Sequence, residues 1–305
     1  MTPSTDLPQQ AFLPQQDLKQ PNKKMPCLYV VATPIGNLGD MTPRAVSILH
    51  QVDVIAAEDT RQTQKLLQHY AISSPLLSLH EHNEQARSQQ LIQRMQQGQQ
   101  IALVSDAGTP LISDPGFTLV RQVRSADFPV VPVPGVSAVI SALSVAGLAT
   151  DRFYFVGFLP AKPHARKSLL EKLRPGTSTL VFYESPHRIL ASLEAMQETL
   201  GGERQVFLAR EMTKRYETYI QTSLSELILQ VREDTNQQRG ELVLVVEGFQ
   251  GEEASLAWQE ATRWLAELVK EMPPSQASAL VARMTGMKKK ALYAWAIEQT
   301  TTGKG

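Results

Sequence analysis

The chain of 305 residues carries 30 Lys+Arg against 30 Asp+Glu and is 42% hydrophobic, the range of ordinary soluble domains. Balanced charge excludes a global field for nucleic acid, so such a partner needs a local basic patch. Cys27 is the one cysteine, which excludes an intrachain disulfide and a cysteine-based zinc site and fits a reducing compartment.

The first 25 residues hold five Gln, four Pro and no apolar run, and are expected to be a disordered tail rather than a signal or transit peptide. Leu28 to Val31 reads as a strand ending in Thr-Pro-Ile-Gly-Asn-Leu-Gly-Asp. Thr42 and Pro43 supply an N-cap and first residue for a helix. Val52 to Ala57 is the next strand, followed by Glu58-Asp59-Thr60-Arg61, where Thr60 is the expected cap of a helix to about Tyr70. Pro75 to Leu79 precedes His80-Glu-His-Asn83 and a Gln-rich helix over 84–97, which Gly98 ends. Ile101 to Val104 then leads into Ser-Asp-Ala-Gly-Thr-Pro-Leu-Ile-Ser-Asp-Pro-Gly, a double turn rich in residues with special backbone freedom. A helix over 117–125 and a strand at Val130-Val131 follow. Short apolar runs alternating with helices indicate a mainly parallel α/β sheet, whose post-strand loops gather on one edge. That edge would carry Asp40, Glu58, Asp59, Arg61, His80, Glu81, His82, Asp106 and Asp114.

Phe128 to Thr150 contains no charge but has Pro129, Pro132, Pro134 and Gly135, so it reads as strand, turn and buried helix instead of a membrane span. The protein is therefore expected to be soluble and cytoplasmic. Beyond residue 150, strands are expected over 153–158, 179–183, 205–210, 217–222 and 241–247, with helices over 164–173, 187–200 and 224–231. This is a mixed α/β domain. From Gln250 the pattern is helical: Trp258, Ala261, Trp264, Leu265 and Leu268 form one stripe, and Ala277, Leu280, Val281 and Met284 another. Thr285-Gly286 and Lys288-Lys289-Lys290 then open a third helix, the outline of a helix-turn-helix or of a packing cap. The expected division is a tail at 1–25, an N-terminal α/β domain at 26–133, a mixed α/β domain at 134–250 and a helical appendage at 251–305.

The first loop lacks G-x-G-x-x-G and G-K-[ST], and no nucleophile elbow G-x-S-x-G is present. His80 with His82 could pair on a metal, and the acidic edge could hold Mg²⁺, but neither forms a strong ligand pattern. The residues alone thus indicate a two-domain α/β enzyme with a loop-lined cleft and no recognised cofactor motif.

Seven ordered stretches go further: ATPIGNLGD at 32–40, AEDTR at 57–61, HEHNE at 80–84, SDAGTPLISDPG at 105–116, PGVSA at 134–138, FYESPHR at 182–188 and ARE-x-TK at 209–214. Together they closely resemble the ribosomal RNA small subunit methyltransferase I group of the tetrapyrrole methylase-like (class III) methyltransferases. The resemblance implies two α/β domains with a cofactor cleft between them, a helical appendage and a homodimer. It implies S-adenosylmethionine as cofactor and 2′-O-ribose methylation of a cytidine in the decoding centre of 16S rRNA, with the rRNA expected as partner within the 30S subunit. The cofactor is expected against Pro34, the loop Asp106-Ala107-Gly108-Thr109 to Ile112, Ser137, Ala138, Tyr183, Met212 and the Leu242 region. The first loop is less glycine-rich than is usual in the class, so Gly36 and Gly39 could face cofactor or substrate.

A neutral ribose hydroxyl is a poor nucleophile, and a carboxylate that binds or removes its proton helps, typically by about 10²–10⁴-fold. Asp59 and Glu58 are the candidates, with Arg61 placing RNA; an ion pair capping the Thr60 helix is the structural alternative. Asp106 is expected to shape the cofactor loop. Lys162, His164, Arg166, Lys167, Lys172 and Arg174, and separately Arg283 with Lys288 to Lys290, are the expected basic patches. Two other readings keep the fold: a tetrapyrrole (precorrin-type) methyltransferase and a non-catalytic RNA-binding factor. The basic stretches favour RNA over the first, and turnover separates the second.

Overall fold

The computed structural model describes residues 25–249, 253–287 and 289–302. The expected tail at 1–25 therefore lies, Met25 apart, outside the described residues, as do Lys288 and the Trp258 side chain. Two compact units emerge from the contacts: Thr33–Met41 with Gly135 onward form one, and the segments 25–32 and Thr42–Pro134 the other. The short segment after the first strand thus groups with the second unit, where the sequence suggested one contiguous stretch over 26–133.

In the first unit, β1 (Leu28–Val31), β2 (Val54–Ala57), β3 (Leu76–Ser78), β4 (Ile101–Val104) and β5 (Val130–Val133) form a sheet ordered β3-β2-β4-β1-β5. Every pairing is parallel. All four residues of β2 and of β4 are buried, the uninterrupted apolar pattern of strands covered on both faces. Helices α1 (Pro43–Gln51), α2 (Thr60–His69), α3 (Glu84–Gln96) and α4 (Phe117–Ser125) connect them. Leu28, Leu91, Met95, Leu103, Leu119 and Val123 are among the residues packed into its core. The α1 start follows the sequence, with Thr42 Oγ1 accepting from the Ala45 N–H at 3.2 Å. The α2 start does not: Asp59, not Thr60, is the cap, and its carboxylate accepts from the Arg61 N–H.

In the second unit, α5 (Ala138–Val145) follows the proline-rich turn. The sheet is ordered β6-β7-β10-β8-β9, from β6 (Phe153–Phe158), β7 (Thr179–Glu184), β8 (Gln205–Arg210), β9 (Thr218–Ser223) and β10 (Leu242–Val246). Only β6 and β7 pair in parallel; the others are antiparallel. Side chains alternate across the sheet. Leu242, Leu244 and Val246 enter the core with residues of α6 (Pro163–Leu173), α7 (Ile189–Leu200) and α8 (Leu224–Glu233). Val243 and Val245 enter a second core with Val139, Ala142 and Leu143 of α5.

Helices α9 (Glu253–Glu271), α10 (Pro274–Thr285) and α11 (Lys289–Thr302) pack through Ala261, Leu265, Ala277, Val281, Leu292 and Ala296. Gly286, at φ +72°, ends α10 in the left-handed conformation that glycine adopts without a Cβ penalty. The expected stripes are narrower in fact, since Trp264 is 37% and Met284 60% exposed. Among the described residues no helix is long and apolar enough to cross a membrane.

Candidate active site

Parallel strands of the first sheet deliver their following loops to one edge, and there carboxyl groups gather. The Asp59 N–H donates to Asp106 Oδ1 at 3.0 Å, joining the loops after β2 and β4. Asp59 Oδ1 accepts from the Arg61 N–H at 2.8 Å, so this exposed carboxylate caps α2. Arg61 is exposed on the first turn. Glu58 is half-buried, and burial, then the charges of Asp106, Asp114 and Asp59, push its carboxyl up to about 7. Asp114 is also raised, by burial first; a Ser105 hydrogen bond opposes this and Asp106 reinforces it.

The loop from Ser105 to Gly116 holds these groups in an unusual backbone. Leu111 at φ +73° and Ser113 at φ +69° occupy the left-handed region. Each such non-glycine residue costs about 1–3 kcal/mol, strain that clusters at ligand and catalytic loops. Gly116, at φ +125°, has no room for a side chain: a Cβ would stand 2.7 Å from Leu103 Cδ2. Glu84 fixes the far end. Its Oε1 accepts from the N–H groups of Gly116 (3.1 Å), Thr118 (2.7 Å) and Leu119 (3.2 Å), supplying the cap that Gly116 lacks at the start of α4. Sequence reading missed this role because the partners lie more than thirty residues away.

Within this loop Asp106, Ala107 and Ile112 are exposed, Thr109 is half-buried and Gly108 is buried. His80 serves its own turn. The His80 N–H donates to Asn83 Oδ1 at 2.9 Å, and Asn83 Nδ2 donates to the Ser78 carbonyl at 3.3 Å. Among the described residues no group of three or more His, Cys, Asp or Glu side chains is arranged to hold a metal ion.

The second unit assembles a different set. Met212 is buried with Ile35 and Val139, against half-buried Val136, Ala138 and Tyr183. Pro34 is buried on the same short segment as Ile35. Ser137 stands at the N-cap of α5 without a capping side-chain bond. The Asn37 N–H donates to Thr213 Oγ1 at 3.1 Å, and a Cβ on Gly36 would meet Lys214 Cγ at 2.5 Å. Lys214 pairs with Glu211 at 2.8 Å and Glu241 at 3.1 Å. Leu242 is the exception among the expected residues. Its side chain lies in the core on the opposite sheet face from Val243, and only its backbone runs beside Glu184 and Arg210.

Two residues of these stretches, Glu184 and Arg210, hold the fold. Buried Glu184 accepts from Ser192 Oγ (2.5 Å) and the Ser185 N–H (2.7 Å) and faces Arg188 Nε at 3.5 Å. Arg210 donates to the Arg239 and Tyr216 carbonyls and to Thr218 Oγ1. The expected basic stretch on α6 is also weaker than its sequence. Arg166 is buried and Lys167 is paired with Glu198, leaving Lys162, His164, Lys172 and Arg174 exposed.

Residues 27–228 match the family described as Tetrapyrrole (Corrin/Porphyrin) Methylases, and residues 256–300 match the RsmI C-terminal HTH domain. The chain is 54% identical over 273 residues to the ribosomal RNA small subunit methyltransferase I of Vibrio cholerae serotype O1, spanning 90% of this chain and 95% of that one. It is 47% identical over 281 residues to the Synechocystis protein of the same name, spanning 92% and 100%. Among solved structures it is similar in fold to a cobalt precorrin-4 methyltransferase (TM-score 0.53, 16% identity, 72% of this chain and 93% of that one). A diphthine synthase is similarly related in fold (TM-score 0.55, 12% identity, 72% and 90%).

Proposed function

Because the chain belongs to the tetrapyrrole (corrin/porphyrin) methylase family, and within it to the ribosomal RNA small subunit methyltransferase I group, we propose that it methylates the ribose 2′-hydroxyl of a cytidine in 16S rRNA. It does so in the cytoplasm, as a homodimer acting on the assembled 30S subunit, with S-adenosylmethionine as methyl donor. The residues assigned to that cofactor are Pro34, Asp106 to Thr109, Ile112, Ser137, Ala138, Tyr183, Met212 and the Leu242 backbone. They fit it chemically. Exposed Asp106 and the adjoining backbone suit hydroxyl and ammonium donors, and the Met212 cluster offers an apolar, polarisable surface.

The cofactor, when bound, supplies an already activated methyl group. The chain itself must align the acceptor hydroxyl, and positioning contributes up to about 7–11 kcal/mol. It must also take the hydroxyl proton. One observation carries that assignment: Glu58, with its carboxyl raised to about 7, is poised to accept a proton near neutral pH. Asp59 is engaged by the Arg61 N–H and orients the start of α2 beside it. Asp106 ties the two loops, and Arg61 attracts the RNA backbone. The helical appendage over 251–305 presents exposed Arg283, Lys289 and Lys290 to the same substrate.

Transfer of radiolabel from S-adenosylmethionine, offered 30S subunits, naked 16S rRNA and a precorrin-type tetrapyrrole side by side, tests the reading. Label on a cytidine ribose of the 30S particle is expected. Bound cofactor with no label on any RNA would sink it, and the tetrapyrrole lane would then separate another methylase from a silent binding protein. Deleting 251–305 is expected to weaken RNA binding and flatten its salt dependence; unchanged values make those helices a structural cap.

A further inference from the structure

The second unit contains a polar cavity of about 680 Å³ remote in sequence from both expected basic patches. Arg210, Arg215, Tyr216, Glu217, Asp234 and Arg239 are among the residues that line it. Its carboxylates are already engaged. Glu217 Oε2 accepts from the Thr213 N–H at 2.8 Å and the Tyr219 hydroxyl at 3.0 Å. Asp234 accepts from the Asn236 N–H at 3.0 Å and Gln237 Nε2 at 2.9 Å. Arg210 is engaged as well, by two carbonyls and the Thr218 hydroxyl.

Arg215 and Arg239 differ. Both are exposed, and among the described residues neither side chain makes an ion pair or a hydrogen bond. Tyr216 stands beside them 66% exposed, with the Arg215 guanidinium 5.4 Å from its ring centroid. An exposed aromatic ring and two guanidinium groups without ion-pair or hydrogen-bond partners among the described residues match the two parts of a nucleotide, a stacking base and its phosphates. The volume suits a nucleotide with part of its neighbour. The cavity wall is also tied to the candidate site. Glu217 holds the Thr213 N–H, Thr213 Oγ1 holds the Asn37 N–H, and Met212 precedes this loop.

We infer that this cavity seats an unpaired nucleotide of the RNA substrate, with the base on Tyr216 and phosphates on Arg215 and Arg239. The inference rests on the RNA-directed reading above. Stacking and charge would hold any base, so the subsite positions the strand without reading its sequence.

The test compares the full-length protein with the double variant R215A/R239A, with R215K/R239K and with Y216A and Y216W. The readouts are binding of 16S rRNA across a salt series and methyl-transfer kinetics on 30S subunits. With R215A/R239A the KM for RNA should rise about tenfold or more while kcat changes little, and two lost single-strand phosphate contacts should reduce the salt slope by about 1.4. R215K/R239K should keep the slope. Y216A should weaken binding about tenfold and Y216W should restore it. Cofactor binding and melting temperature should not move. Normal RNA methylation with unchanged KM and slope in R215A/R239A overturns this subsite alone. A wild-type protein that binds cofactor yet methylates no RNA overturns both the subsite and the reading on which it rests.

Discussion

Glu58 after β2 and Glu211 after β8 both end a strand and are both partly withdrawn from water, yet their carboxyls shift in opposite directions. Glu58 has Asp106, Asp114 and Asp59 for neighbours, and repulsion adds to burial. Burial also opposes ionisation of Glu211, but the Lys214 ammonium, the Glu241 N–H and the Arg210 charge outweigh it and hold the carboxyl below its ordinary value. Backbone strain is present at both places: Leu111 and Ser113 near the first, Glu211 and Thr213 at the second, all at positive φ. Strain alone therefore does not decide which way a carboxyl shifts. The sign of the surrounding charge does. Burial reinforced by like charges raises Glu58 to about 7, whereas at Glu211 opposite charge outweighs burial and holds the carboxylate against Lys214.

Glu58→Gln gives the largest expected effect that sharpens the contrast. Turnover should fall by about 10²–10⁴-fold with cofactor affinity unchanged, measured by methyl transfer and calorimetry. In the wild type kcat should climb as pH rises through about 7, where Glu58 loses its proton, and the variant's residual rate should be flat there. The linkage has the opposite sign for stability. A carboxyl raised in the folded state contributes stability that is complete below its ordinary 4.5 and declines as pH passes about 7. The variant should consequently melt slightly higher than wild type at pH 8 and equally at pH 4, a small gain because the group is partly solvated. A lower melting point at pH 8 would remove the repulsion argument.

Gly116→Ala should destabilise by about 1–3 kcal/mol in denaturant titrations, through both positive φ and the Leu103 contact. It should also impair cofactor binding, since it displaces the strained loop; normal binding would separate that loop from the cofactor. Lys214→Met leaves Glu211 partly buried beside Glu241 with its cation gone, and should cost about 1–3 kcal/mol at pH 7. Because the folded Glu211 carboxyl is depressed, its stabilisation is present above 4.5 and lost on further acidification, so wild type and variant should converge as pH falls below that value. The smallest effect belongs to Asp59. Asp59→Ala removes the α2 cap at a cost of about 0.5–2 kcal/mol and should lower turnover without loss of cofactor affinity. Asp59→Asn keeps the cap. If it also keeps turnover, Asp59 positions α2 and Glu58 alone exchanges the proton.

The placements around the site that local pattern left open share a cause. Asp59 and Thr60 are both good caps, and only the path of the chain out of β2 decides which side chain reaches the Arg61 N–H. Leu242 sits one residue from Val243, and alternation along the strand places its side chain on the opposite face of the sheet, so the contact proposed there is its backbone. Arg166 looks like its basic neighbours in sequence, but the α6 face on which it falls is buried.

Local chemistry fixed the elements by itself. Fully apolar runs such as Ile101–Val104 bury both faces and give parallel strands, Thr42-Pro43 starts α1, and Gly98 and Gly286 end helices, all through contacts within a few residues. The ordered motifs likewise carried the family. Tertiary structure decided what no local pattern encodes: the raised carboxyl of Glu58, the Glu84 cap on α4 and the meeting of Arg215 and Arg239 around Tyr216. Each depends on charges or donors far apart in the chain. Electrostatic and hydrogen-bond energies follow distance in space and burial, and the fold sets both.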